Sequence, residues 1–125
     1  MSVLVDSDIL IEVSRGKNAS IVARWVDLAN SGSAVCYSPV SVAELWAGAR
    51  PNEHEALRRL FGALTCYPID EDVGLRAGQF LQKYRGSHGV ELGDALIAAA
   101  AVANEARLWT RDYGHYPMGE IGFFE

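Results

Sequence analysis

The sequence predicts an α/β domain, a parallel sheet with crossover helices, on three observations. Short apolar runs such as Val3-Leu4-Val5, Ala34-Val35-Cys36-Tyr37 and Leu108-Trp109-Thr110 have the length of buried strands. Longer stretches between them carry apolar residues at helical spacing and are bounded by Ser, Asp, Pro or Gly. Strands that alternate with helices in this way imply parallel pairing through right-handed crossovers.

The elements follow in order. Residues 2–6 are expected to form a strand, after which Ser7 or Asp8 caps a helix through Ile9, Leu10 and Val13 that Gly16 ends. Residues 18–30 place Ile21, Val22, Trp25, Val26 and Leu28 near helical spacing, with Gly32 as a stop. A second strand spans 34–38, and Ser38-Pro39 or Ser41 starts a helix that carries Glu44 and ends near Gly48. Residues 51–64 are amphipathic, with Leu57, Leu60, Phe61 and Leu64 on one face. A third strand is expected at 65–69, a helix at 70–84, a flexible loop at 85–89, and a helix at 91–104 so apolar all round that it should be central. Residues 107–110 make a fourth strand, and 121–124 add a short edge strand.

The chain has 125 residues, the size of one domain, and residues 1–125 are read as a single unit. Half of the residues are hydrophobic and mean hydropathy is +0.04, so part of the apolar surface is expected to face a partner, such as a second copy in a homodimer. A net charge of -5 argues against a nucleic-acid binder unless bound cations reverse the local field. Cys36 and Cys66 lie in expected strands without metal-ligand spacing and are read as free buried thiols. The N-terminus is no signal peptide, and the apolar run 95–103 is far short of the ~20 residues a membrane span needs, so a cytoplasmic protein is expected.

Four acids sit where the apolar segments end or begin: Asp6, Glu44, Asp94 and Asp112. In a parallel sheet with crossover helices, C-terminal strand ends and helix N-termini share one rim, where such folds place their ligands. Carboxylates gathered there raise one another's pKa and call for a divalent ion, Mg or Mn for an all-oxygen site. Such an ion suits hydrolysis of a phosphodiester by water, with the Thr110 hydroxyl able to hold a water or a phosphate. Asp6 is hard to dismiss as structural, since a carboxylate ending a buried strand is costly unless paired or metal-bound, whereas the other acids and the neighbouring Asp8 have structural explanations. Asp8 can be an N-cap, Glu44 can complete a Ser41-x-x-Glu44 capping box, Asp94 can answer a helix dipole, and Asp112 can serve a turn. His54, His88 and His115 show no ligand spacing and are read as surface histidines.

The motifs Val3-Leu4-Val5-Asp6-Ser7-Asp8-Ile9-Leu10, Ser41-Val42-Ala43-Glu44-Leu45-Trp46-Ala47-Gly48, Gly93-Asp94-Ala95-Leu96-Ile97-Ala98 and Leu108-Trp109-Thr110-Arg111-Asp112 together resemble the PIN-domain ribonucleases, above all the VapC-type toxins of toxin-antitoxin pairs. The resemblance implies a three-layer α/β/α fold with a central parallel sheet of four to five strands. It also implies a Mg- or Mn-dependent endoribonuclease whose acid tetrad is Asp6, Glu44, Asp94 and Asp112, with a hydroxyl at Thr110. A VapB-like antitoxin would hold it inactive, lying near Trp46, and RNA would be the substrate, with Arg111 the first basic candidate to meet it. Asp8 stands where the family commonly has Ser or Asn, which leaves its role open.

Two rivals remain. One is a PIN-like binding module without turnover. The other is a haloacid-dehalogenase-type phosphatase with Asp6 as nucleophile, disfavoured by Leu10 and by the lack of lysines other than Lys17 and Lys83.

Overall fold

A computed structural model describes residues 1–125. Four parallel strands, β1 (Ser2–Val5), β2 (Ala34–Tyr37), β3 (Thr65–Cys66) and β4 (Arg107–Trp109), form one sheet in the order β3-β2-β1-β4. The chain thus steps outward from β1 to β3 and then returns to add β4 on the other side of β1. A crevice opens at such a reversal, beyond the carboxyl ends of the two strands that flank it. Here those strands are β1, which leads into Asp6, and β4, which leads into Thr110.

Strand side chains alternate between two cores. Val3 and Val5 face the first, with Ile9 and Leu10 of α1 (Ser7–Arg15), Ile21 and Leu28 of α2 (Ala19–Ala29), Leu45 of α3 (Pro39–Ala47), and Leu57 and Phe61 of α4 (His54–Gly62). Leu4, Cys36 and Leu108 face the second, with Val73, Ala77 and Phe80 of α5 (Glu71–His88) and the alanines of α6 (Leu92–Ala103). The result is the expected three-layer α/β/α arrangement. Ala95, Ala98, Ala99, Ala100 and Ala101 are all essentially inaccessible, so α6 is central, and its small side chains let its backbone lie close to its neighbours without loss of helix propensity.

Several expected boundaries move. The third strand is Thr65–Cys66 only, since the ladder closes with the Tyr67 N–H donated to Tyr37 O at 2.8 Å and Pro68 has no N–H to extend it. That short edge leaves Cys66 exposed rather than buried, while Cys36 is buried as expected. The loop expected at 85–89 is instead the last turn of α5, where Arg85 and His88 suit the negative helix end and Gly89, at φ 64, supplies the left-handed cap. A short 3-10 turn, Pro51–Glu53, precedes α4. The edge strand expected at 121–124 reduces to one parallel bridge, Leu108 with Phe123, held by backbone bonds from Leu108 N to Gly122 O and from Phe124 N to Leu108 O at 2.8 and 2.9 Å. No helix is long and apolar enough to cross a membrane.

Candidate active site

Asp6 directly follows β1 and caps α1, a role expected of Ser7 or Asp8. One carboxylate oxygen, Oδ1, accepts the Ser7 N–H at 2.7 Å. The other, Oδ2, accepts the Thr110 and Tyr116 hydroxyls at 2.8 and 3.0 Å. Asp6 is only 7% exposed, and its pKa is raised to about 6, first by burial and then by the charge of Asp8, against the pull of those three donors.

Asp8, in the first turn of α1, is not the cap. Its Oδ2 accepts the Arg111 N–H at 2.9 Å, and its Oδ1 is buried without any hydrogen-bond partner. Burial raises its pKa, with the donated Arg111 N–H and the Arg111 charge opposing. An orphaned carboxylate oxygen beside a second raised carboxylate is costly unless a cation is close by.

Glu44 reaches the same rim from α3. The helix is capped by Ser38, whose Oγ accepts the Val40 N–H at 3.1 Å, so the capping box expected of Ser41 and Glu44 does not form. Glu44 Oε1 instead accepts the Ser7 hydroxyl at 2.7 Å, and Ser7 Oγ lies 2.8 Å from the buried Ser41 Oγ. Glu44 also faces the start of α6: a Cβ on Gly93 would lie 3.3 Å from Val40 Cγ1 and 3.9 Å from Glu44 Oε2. Glycine therefore sets how closely Asp94 can be brought up.

Asp94, expected at most to answer the helix dipole if structural, makes a capping-box bond in the first turn of α6. Its Oδ2 accepts the Glu91 N–H at 3.1 Å as part of a capping box, and it faces the site, with its pKa raised mainly by burial and also by Asp112. Asp112 is placed by a turn in which its N–H is donated to Thr110 Oγ1 at 3.0 Å. The Nδ1 atom of His115 then lies 2.7 Å from Asp112 Oδ2 and 3.6 Å from Asp94 Oδ2. His115 is therefore a site residue and not an ordinary surface histidine. Thr110 is buried, with its one proton on Asp6 and a lone pair on Asp112 N–H, so it positions two acids and has no proton left for water or phosphate.

The four acids of the tetrad thus lie along one rim, joined by Ser7, Thr110, Tyr116 and His115, but they are not closed around a point. No three of the His, Cys, Asp and Glu side chains are gathered tightly enough to enclose an ion as they stand. The donor set still fits a hard divalent cation in kind. Its oxygens are carboxylates, Asp6 and Asp94 of the tetrad and the adjacent Asp8 have raised pKa values, and the buried Oδ1 of Asp8 is left without a partner. Ser7, Tyr116 and His115 were not found from sequence. Only His115 left a trace, three residues after Asp112, whereas Tyr116 is in an irregular segment where no periodicity reports its direction.

The PIN domain family model matches residues 3–120 of the chain. Ribonuclease VapC10 of Mycobacterium tuberculosis is 39% identical over 120 residues, covering 94% of this chain and 88% of the relative. Among solved structures, VapBC2 from Rickettsia felis, bound to a promoter DNA fragment, superposes with a TM-score of 0.83 at 18% identity over 99% of this chain and 98% of that one. FitAcB from Neisseria gonorrhoeae gives 0.71 at 28% identity over 98% and 96%. The rim is thus not that of a haloacid-dehalogenase-type phosphatase: the chain belongs to the PIN-domain family, in its VapC branch.

Proposed function

We propose that the chain is a Mg- or Mn-dependent endoribonuclease and the toxin half of a toxin-antitoxin pair. The observation that carries this reading is Asp6, a buried carboxylate at the strand-order reversal with two further acids, Asp8 and Asp112, tied to the same Thr110 hydroxyl or its neighbour. Asp6, Glu44, Asp94 and Asp112 would hold the ion, and the free Oδ1 of Asp8 adds a fifth acid in reach of the rim. When bound, Mg or Mn supplies positive charge against the scissile phosphate and makes water a stronger nucleophile.

The chain's own part is orientation. Thr110 and Tyr116 fix one oxygen of Asp6, and the Ser7 N–H fixes the other, so the carboxylate is aimed before anything binds. Ser7 does the same for Glu44, and His115 spans Asp94 and Asp112. The relative VapC10 is named a ribonuclease, and a chain of the same fold from Klebsiella pneumoniae was solved in a toxin-antitoxin complex. For this chain the partner reading places an antitoxin segment near Trp46. Trp46 is half-buried, with the His54 ring at 4.8 Å and the Arg58 guanidinium 5.5 Å from its centre, and part of its surface stays open to a partner. A basic side chain from such a segment would neutralise the acids in place of metal.

The test is cleavage of RNA by the purified protein. Activity is expected with Mg or Mn, absent in chelator, and abolished in Asp94→Asn while the circular dichroism spectrum is kept. Undiminished cleavage in chelator would show a metal-free ribonuclease, and no cleavage of any RNA would favour the binding-module reading.

A further inference from the structure

Beside the acid rim lies an open groove of about 500 Å³ that none of the tetrad residues lines. It is continuous with the site, because Thr110 and Arg111 form part of its wall. We propose that this groove is the subsite for one nucleotide of single-stranded RNA adjacent to the scissile phosphate, with Arg24 as its phosphate contact and Tyr113 as its base-stacking platform. The proposal rests on the ribonuclease reading above and adds to it where the substrate lies.

Four features of the groove carry it. First, Arg24 takes part in none of the chain's ion pairs. Its Cζ lies over the Phe124 ring, 4.5 Å from the centre, a cation–π contact that anchors the side chain without using its N–H donors. A guanidinium whose donors stay available suits a phosphate, which its planar fork can bind in bidentate fashion. Second, two arginines, Arg24 and Arg111, line the groove, with Glu125 the one acidic side chain in the lining, in a protein of net charge -5. Arg111 also has Glu12 at 3.9 Å and donates to Asp8 O at 3.3 Å, so Arg24 is the freer cation.

Third, the ring of Tyr113 is 49% exposed at the groove edge, supported edge-on by Phe123 at 4.9 Å. An exposed aromatic ring supported by a second ring is built for stacking, and every base has a face to stack. Fourth, the rest of the lining is apolar, with Ile9, Ile21, Trp109 and Phe124, the two rings 5.3 Å apart. An unpaired guanidinium, an exposed ring and an apolar floor next to a phosphodiester-cleaving rim match the parts of a nucleotide. They suit a single strand, since a base held in a duplex cannot offer its face. A docked acidic peptide would use the arginine but would carry a ring for Tyr113 only where its sequence supplies one, whereas every nucleotide carries one.

The test uses fluorescence anisotropy with a labelled, short, mixed-sequence single-stranded RNA in Mg, on the Asp94→Asn background so that the probe is not cut. Arg24→Gln and Tyr113→Ala are each expected to weaken binding about tenfold, and Arg24→Gln to lower the slope of log K against log salt by roughly 0.7. Tyr113→Phe should restore the affinity, and Arg85→Ala, on α5, should not change it. Thermal melts establish that each variant is folded. Affinities for Arg24→Gln and Tyr113→Ala within twofold of the parent overturn the subsite while leaving the ribonuclease reading standing on cleavage by the unmodified chain. Loss of the partner complex with RNA affinity kept would make the groove a protein-docking surface and also overturn it. A parent that binds no RNA, from a chain that cleaves none, removes both.

Discussion

Replacing Asp6 by Asn should stabilise the metal-free protein. In the folded chain burial and the charge of Asp8 raise the Asp6 pKa from 3.8 to about 6. At neutral pH this carboxylate is ionised in both states but is the less comfortable in the folded one, by up to about 3 kcal/mol. The sign follows from the direction of the shift. Below pH 3.8 both states are protonated and the penalty is absent. As pH rises the unfolded state ionises first, so stability falls progressively until the folded carboxyl has also ionised above about 6, and is level beyond. Asn removes the charge at the same volume. Its carbonyl can take the Ser7 N–H, while its amide can donate to the Thr110 and Tyr116 hydroxyls, which rotate to accept. In chelator at pH 7, Asp6→Asn is therefore expected to gain up to about 3 kcal/mol and roughly 10 °C in Tm. The gain should vanish near pH 4. Urea denaturation of both proteins across pH 4 to 8 measures the difference curve, in which the other carboxylates largely cancel. Added Mg or Mn should then raise the Tm of the parent and not of the variant. A flat difference curve, or a variant no more stable than the parent at pH 7, would refute the account of Asp6 as a destabilised site residue.

Three further expectations concern other parts of the fold. Tyr116→Phe removes one donor from charged Asp6, so it should cost about 2 kcal/mol at pH 7.5, less at pH 5 where Asp6 is protonated, and should raise the Asp6 pKa further; urea curves at the two pH values check this. Trp46→Ala should weaken a co-purified antitoxin complex by at least tenfold in titration calorimetry while RNA cleavage changes much less, because Trp46 makes no contact with the acids. Ala98→Leu, at a site with no accessible surface, should overpack the α6 layer and lower stability by about 1–3 kcal/mol in the same urea assay.

The rim was legible in the sequence because topology alone puts strand ends and helix starts together. Asp6 and Asp112 follow apolar strands, and Asp94 opens the one helix that is apolar all round. Glu44 was ambiguous for a physical reason: Ser41 and Glu44 have capping-box spacing, and only the choice of Ser38 as the cap frees Glu44 for the site. The roles of Asp8, Tyr116 and His115 were not legible, since they depend on which way side chains point from a first helical turn and from the irregular segment after β4. The same holds for the groove, whose wall joins α2 to the C-terminal segment across the whole length of the chain. Boundaries failed where tertiary bonds decided them, as at the single bridge of Phe123.

That bridge has a dynamic consequence. Residues 121–124 are fastened to β4 by two backbone bonds and by the tilted contact of Phe124 with Trp109 beneath Arg24, a small local unit that can open without the rest of the protein unfolding. One such opening uncovers the free edge of β4 and, in the same motion, removes the ring over which Arg24 rests. Whatever occupies the groove therefore also guards a sheet edge against pairing with another chain, and amide exchange at Leu108 becomes a reporter of groove occupancy at a distance from the acids.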